Sequence, residues 1–352
     1  MAETITLVNP FDAHVHVRQN DMLRQVLPLT MYSFAGALLM PNTSPPIDSR
    51  ETLDQYVDKV YEEIDSRSMV SFNPWFTLYF RTDYERSFLE WAKDKILGIK
   101  FYPKGMTTNS DHGCDPHDIK ILEVLSIMEE LDIPLCVHAE YKGFVLQREH
   151  AFSFFLEQWT RTFPNLRIVL EHMSDGCSAS LLKHNKNIYA TITPHHLMVT
   201  LDDVIGDKLN PHLFCKPIPK YPADRAMLNE LAWGNNHGWS NWDHVKHKVM
   251  LGTDSAPHYR IQKESECGCA GVFTAPIALQ LVVQQAMIMG CSTERLQAFV
   301  SGNAEKFYGL KFPGKKTVIL EKTPFVVPSE YNSVVPMWAK KTLDWTIKSV
   351  SD

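Results

Sequence analysis

A parallel sheet closed into a (β/α)8 barrel is the α/β fold this sequence predicts, on three observations. Eight short runs rich in β-branched and aromatic residues follow one another along the chain, segments of helical periodicity separate most of them, and five of the runs end in residues of metal-ligand type. In such a barrel the working groups sit at the C-terminal ends of the strands. The pattern of ligands and the pattern of elements therefore support each other.

The first run, Ile5 to His16, ends in Asp12-Ala13-His14-Val15-His16. A strand repeats every two residues, so His14 and His16 face one side, as two ligands of one ion would. Ala37 to Asn42 is the second run. After Asp48, the apolar positions Leu53, Tyr56, Val57, Val60, Tyr61 and Ile64 follow the spacing of one helix face. Phe72 to Phe80 and Ile96 to Tyr102 are the third and fourth runs, the fourth carrying Lys100. Lys104 to Asp115 is polar, with Gly105, Gly113 and Thr107-Thr108-Asn109-Ser110, and reads as a mobile loop over the mouth of strand four.

Asp115 and Pro116 read as the N-cap and first residue of a helix that carries Ile121, Leu122, Leu125 and Met128. Four more runs follow: Pro134 to Ala139 with His138, Arg167 to His172, Ile188 to Thr193, and Val245 to Thr253 just before Asp254. Beyond about Lys311 the chain turns to short strand-like pieces punctuated by Pro313, Pro324, Pro328 and Pro336. The barrel is accordingly assigned to residues 1–311, and 312–352 to a C-terminal extension packed on it.

At 352 residues with 44% apolar side chains, the chain can bury a substantial core. Its formal charge of -6 comes from 35 basic and 41 acidic residues, interspersed and without a basic block, which argues against a nucleic-acid partner. The start, Met1-Ala2-Glu3-Thr4-Ile5-Thr6, lacks the basic and apolar regions of a secretory signal. Ala275 to Met289 is too short for a bilayer and is interrupted by Gln280, Gln284 and Gln285. A cytoplasmic protein with no membrane association is expected. The seven cysteines are odd in number and lack CxxC spacing, so reduced thiols are expected.

His14, His16, His138, His172 and Asp254 are enough for two ions held close together, with a coordination position left open for chemistry. Two such ions repel, so a bridging anion is needed, and hydroxide could be one. Lys100 could supply another if its desolvated amine loses a proton and adds carbon dioxide, since a carbamate has two oxygens to span the ions. The plain reading of Lys100 is a lysine ion-paired inside the barrel.

The resemblance to a known family rests on a series of strings. These are Asp12-Ala13-His14-Val15-His16-Val17-Arg18, Met40-Pro41-Asn42, Lys100-Phe101-Tyr102-Pro103, Val137-His138-Ala139-Glu140, Leu170-Glu171-His172, Thr191 to Leu197, Leu251 to His258, and Lys263-Glu264-Ser265 through Cys267-Gly268-Cys269-Ala270-Gly271. Together they resemble dihydroorotase, in the shorter single-function form (class II) of the amidohydrolase superfamily. The match runs from about residue 10 to residue 310.

The resemblance implies two zinc ions, one on His14, His16 and Asp254 and the other on His138 and His172, bridged by N6-carboxylated Lys100 and a hydroxide. It places Arg18, Asn42 and His258 around a substrate carboxylate, and the backbone of Lys216 and Ala270 near the ring amide. Thr107 and Thr108 match the family's closing loop. Asp254 takes the role of proton carrier in the reversible cyclisation of N-carbamoyl-L-aspartate to L-dihydroorotate, a step of pyrimidine biosynthesis. The planar donor fork of Arg18 suits a carboxylate. Relatives are often homodimers, so a homodimer acting on a small molecule is expected.

Other readings stand beside this one. A hydantoin or allantoin hydrolase shares the scaffold, and a barrel that has lost its ligands serves as a non-catalytic scaffold. None of the six ligand positions is missing here. Cys267-Gly268-Cys269 lacks the second pair of a zinc finger. His195 and His196, if on a strand, point to opposite faces, and the family usually has a different polar residue at His195. Lys216 stands where an apolar residue is common. His112, His117, His150, His184, His212, His237, His244 and His247 read as surface or structural residues.

Overall fold

Residues 3–67, 71–234 and 242–352 are described by a computed structural model, in which eight strands form one parallel sheet. Strand β1 (Thr4–Val8) lies outside it. The sheet runs in chain order through β2 (Phe11–Val15), β3 (Gly36–Leu39), β4 (Asn73–Tyr79), β5 (Gly98–Phe101), β6 (Leu135–Val137), β7 (Ile168–Leu170), β8 (Ile188–Ile192) and β9 (Val249–Leu251). Helices such as Asn20–Ser33, Arg50–Asp65, Lys120–Glu130, Arg148–Thr162 and Pro222–Trp233 join them, and Ala278–Ile288 follows the last. This is the expected (β/α)8 barrel.

The strands are buried because both faces of the sheet are covered. Ile99 and Phe101 of β5 pack outward with Leu78, Leu125 and Trp159 under the helices, while Lys100 between them faces the other side. Cys136, Val169 and Met250 form a separate apolar layer with Phe11 and Leu38, closed from below by Phe307 and Tyr308. The polar ligands thus stand on an apolar floor.

The first and last strands meet through backbone and side chain together. Asp254 N donates to His14 O at 2.8 Å, and His16 N donates to Ser255 O at 3.1 Å. The buried Asp12 carboxylate accepts from Thr253 N at 2.8 Å and Thr253 Oγ1 at 2.6 Å. At this seam Gly252 is required: a Cβ there would lie 2.8 Å from both His14 Cβ and Thr191 Cβ.

The single run expected from Ile5 to His16 is two strands, because Asn9 at φ 44° and Pro10, which has no N–H, interrupt the ladder. β1 instead pairs antiparallel with β10 (Thr317–Glu321). Beyond it lie β11 (Phe325–Val326), β12 (Thr342–Leu343) and β13 (Thr346–Ser351), and β13 pairs with the other edge of β10. Lys316 clamps this sheet to the barrel, its Nζ donating to Phe34 O at 2.8 Å and Ser71 O at 3.1 Å.

Two further boundaries differ from expectation. Asp115 caps a turn, accepting from His117 N at 3.1 Å, and the helix after it starts only at Lys120. The run from Val245 begins inside a 3-10 helix, Asp243–Lys248, so β9 is short. The apolar stretch from Ala275 is a helix packed in the core, and among the described residues no helix is long and apolar enough to cross a membrane.

Candidate active site

The strand ends deliver the expected ligands to one place. His14 lies on β2 and Lys100 on β5, while His16, His138, His172 and Asp254 follow their strands by one to three residues. His14 Nε2 is 3.4 Å from His16 Nε2, and Asp254 Oδ1 is 3.4 Å from the first and 3.1 Å from the second. His138 Nδ1 is 3.2 Å from His172 Nε2. The backbone is turned sharply to do this: Arg18, His172 and Asp254 have φ of 61°, 42° and 43°. Each such left-handed residue costs on the order of 1–2 kcal/mol, and such strain gathers where a site needs side chains re-aimed.

Two buried carboxylates orient the imidazoles. Glu171 Oε2 lies 2.7 Å from His14 Nδ1, and Glu140 Oε2 lies 2.7 Å from His138 Nε2. A proton on each of those nitrogens leaves the other ring nitrogen with its lone pair facing the cluster. Burial pushes Glu171 up, but His14 and Lys100 outweigh it and hold the carboxyl at about 2. Burial drives Asp12 up to about 7 against the hydrogen bonds from Thr253 and His14. Glu140, Glu171 and Asp12 were not singled out from the sequence. Their signal was adjacency, each being one or two residues from a ligand.

Lys100 is fully buried, and its Nζ has no hydrogen-bond partner among the described residues. Among the described residues no carboxylate lies within ion-pair distance of it, although the Glu171 and Asp254 charges reach it. Burial lowers the pKa of its ammonium, favouring the neutral amine. His172 Nδ1 is likewise unpartnered among the described residues. Imidazole lone pairs, a carboxylate and a bare amine converging at one buried point are a donor set that fits metal ions.

A narrow cleft opens above them, and Arg18, Asn42, Thr107, Thr108, Lys216 and Ala270 line it with His14, His16, His138, His172 and Asp254. His258 stands beside it, its Nε2 3.2 Å from an Arg18 nitrogen and 3.1 Å from Ala270 O. Burial, then the Arg18 charge, lowers His258 to about 3, so the ring is neutral. Gly271 at φ 151° passes so close to this wall that a Cβ would meet Ala256 O at 2.5 Å. Tyr102, unassigned from the sequence, also lines the cavity and stacks on Tyr79.

The polar loop after β5 lies across the mouth. Asn42 Nδ2 donates to Thr108 O at 3.1 Å, Asn109 Nδ2 returns a bond to Asn42 O at 2.9 Å, and Thr108 Oγ1 reaches Ala270 O at 3.4 Å. It bridges the second strand end to the segment behind the last.

His195 and His196 are not on a strand but in the helix Pro194–Met198, and both are buried. The opposite-face argument therefore does not apply to them. His112, His117, His150, His184, His244 and His247 are exposed, His212 is half-buried, and His237 lies outside the described residues. Each of the seven cysteines is a free thiol.

No family model matches the chain. A dihydroorotase of Helicobacter pylori (strain HPAG1) is 39% identical over 354 residues, covering 99% of each chain. The crystal structure of dihydroorotase from Campylobacter jejuni is 41% identical with a TM-score of 0.90, covering 99% of this chain and 98% of that one. The Saccharomyces cerevisiae dihydroorotase, solved with 5-fluoroorotic acid, is 30% identical with a TM-score of 0.88 over 99% and 98%. With likeness over the whole length of both partners and a ligand-bearing barrel mouth, the chain belongs to the dihydroorotase family.

Proposed function

We propose that the chain catalyses the reversible cyclisation of N-carbamoyl-L-aspartate to L-dihydroorotate in pyrimidine synthesis, with two zinc ions at its centre. His14, His16 and Asp254 would hold one ion and His138 and His172 the other. Lys100 would bridge them as a carbamate, its neutral amine adding carbon dioxide and releasing a proton. The pair supplies positive charge that acidifies water and polarises an amide carbonyl. The observation that carries this reading is the buried, unpartnered Lys100 Nζ amid five metal-type ligands.

The remaining work belongs to the chain's own groups. Arg18, with Asn42 and His258, clamps the substrate's free carboxylate, a fork of donors meeting two oxygens. The neutral His258 adds a directed hydrogen bond without a second charge. In the hydrolytic direction the Asp254 carboxylate accepts a proton from the attacking water and passes it to the leaving ring nitrogen; cyclisation reverses both transfers. Thr107 and Thr108 hold the substrate and exclude bulk water. Lys216 and Ala270 present backbone groups to the ring amide.

A side-by-side assay with dihydroorotate and hydantoin tests the reading. Turnover of dihydroorotate far above hydantoin is expected, because hydantoin has no carboxylate for Arg18; equal rates would overturn the substrate assignment. Electron density at Lys100 tests the bridge: a three-atom extension between two metal peaks is expected, and a bare amine turned away would remove it. We further assign residues 1–311 to the catalytic unit, whose leading strand β1 pairs with the extension rather than with the barrel, and 312–352 to that extension, in a cytoplasmic homodimer; light scattering checks the dimer.

A further inference from the structure

Sharing no residue with the candidate centre, His195, His196 and Cys215 come together. One ligand atom from each lies within 4.8 Å of the others, and all three side chains are buried. His196 Nε2 is 3.7 Å from Cys215 Sγ, and both face Pro217 O, at 3.0 Å and 3.3 Å. The His195 ring is 0% exposed, and neither of its nitrogens has a hydrogen-bond partner among the described residues. A neutral imidazole has one donor and one acceptor. Leaving both unmet in a side chain wholly shielded from solvent is costly, since a buried polar group normally finds a partner.

We propose that His195, His196 and Cys215 form a third cation site, for zinc, with the Pro217 carbonyl at its fourth position. Two imidazoles and a thiolate are borderline-to-soft donors, which suit zinc and disfavour magnesium or calcium. Zinc bonds of about 2.1 Å to nitrogen and 2.3 Å to sulfur put two tetrahedral donors about 3.6 Å apart, close to the observed separation of His196 and Cys215. His196 Nδ1 lies 2.9 Å from Thr193 Oγ1. A proton donated there leaves Nε2 free to ligate.

Burial keeps the ion-free Cys215 thiol protonated. Binding therefore forms a sulfur–zinc bond, breaks the S–H bond and releases one proton to solvent. Of the two lysines whose charges reach this thiol, Lys220 is neutralised by Glu149 at 2.6 Å, and Lys263 is offset by the new thiolate. The ion would join the helix Pro194–Met198 to the segment through Lys216, which lines the cavity. Its role is positioning rather than catalysis.

Metal analysis and cobalt exchange of the purified enzyme test this. The cobalt-loaded protein is expected to show a thiolate-to-cobalt charge-transfer band in the near ultraviolet, which a centre of histidines, aspartate and lysine does not produce. The band should persist in the Cys267→Ser/Cys269→Ser double variant and vanish in Cys215→Ser. The variant His195→Gln, which restores hydrogen-bonding groups at similar size, should bind about one equivalent less zinc. Absence of the band from the parent protein, its loss in the double variant alone, or unchanged zinc in His195→Gln would overturn the proposal. None of these readouts depends on dihydroorotate turnover, so the catalytic reading fails or stands separately.

Discussion

His14 and His138 each commit one ring nitrogen to a buried carboxylate, and that commitment decides which nitrogen is left for an ion. Replacing Glu171 by Gln keeps the shape but removes the charge that fixes His14, so zinc affinity and turnover are expected to fall about tenfold. Metal analysis and rates on one preparation check this; an unchanged zinc content would sink it. Acid provides a second test. Burial first of all, then the Arg18 charge, holds His16 well below the usual histidine range, and burial first of all does the same for His172. Protons compete with metal only below these lowered values, so ions should remain bound as pH falls through about 6.5, where an ordinary histidine charges. Dialysis across a pH series followed by metal analysis reads the midpoint, and release already complete at that pH would refute the ordering.

At the scale of elements, the loop Thr107 to Ser110 ties Asn42 after β3 to Ala270 after β9 without touching the ligand atoms. Thr107→Ala/Thr108→Ala is therefore expected to lower kcat by about 100-fold while zinc content holds, since misplacing substrate is costly and coordination is untouched. Equal loss of zinc would argue against a closing role. The same scale shows what the sequence made legible. β5, β6 and β7 announced themselves because each is a short apolar run ending near a ligand. Asn9 and Pro10 were hidden, since a break in a ladder leaves the apolar pattern on either side intact. Asp115 was misread because an Asp before a Pro caps a turn as readily as a helix. The convergence of the candidate ligands was legible from strand periodicity and family strings, whereas Glu171 acts on His14, 157 residues away, and periodicity carries no information about such a pairing.

Across the whole molecule, the ends of the barrel sheet meet where the first proposed ion sits. β2 and β9 join through a few bonds, among them Asp254 N to His14 O and His16 N to Ser255 O, with Asp12 spanning to Thr253. His14 and His16 come from one side of this seam and Asp254 from the other, so an ion on all three closes the barrel as well as serving chemistry. The second pair, His138 and His172, lies just beyond the ends of β6 and β7, already neighbours in the ladder. Metal removal should therefore act unevenly. At a free-ion concentration a thousandfold above Kd, binding contributes about 4 kcal/mol, and chelation forfeits it. Hydrogen exchange with and without chelator locates the loss: amides of His16, Thr253 and Asp254 should speed up more than those of Cys136 and Val169 in mid-sheet. If all strands loosen equally, the ions stabilise the fold only in bulk, and the seam does not depend on them.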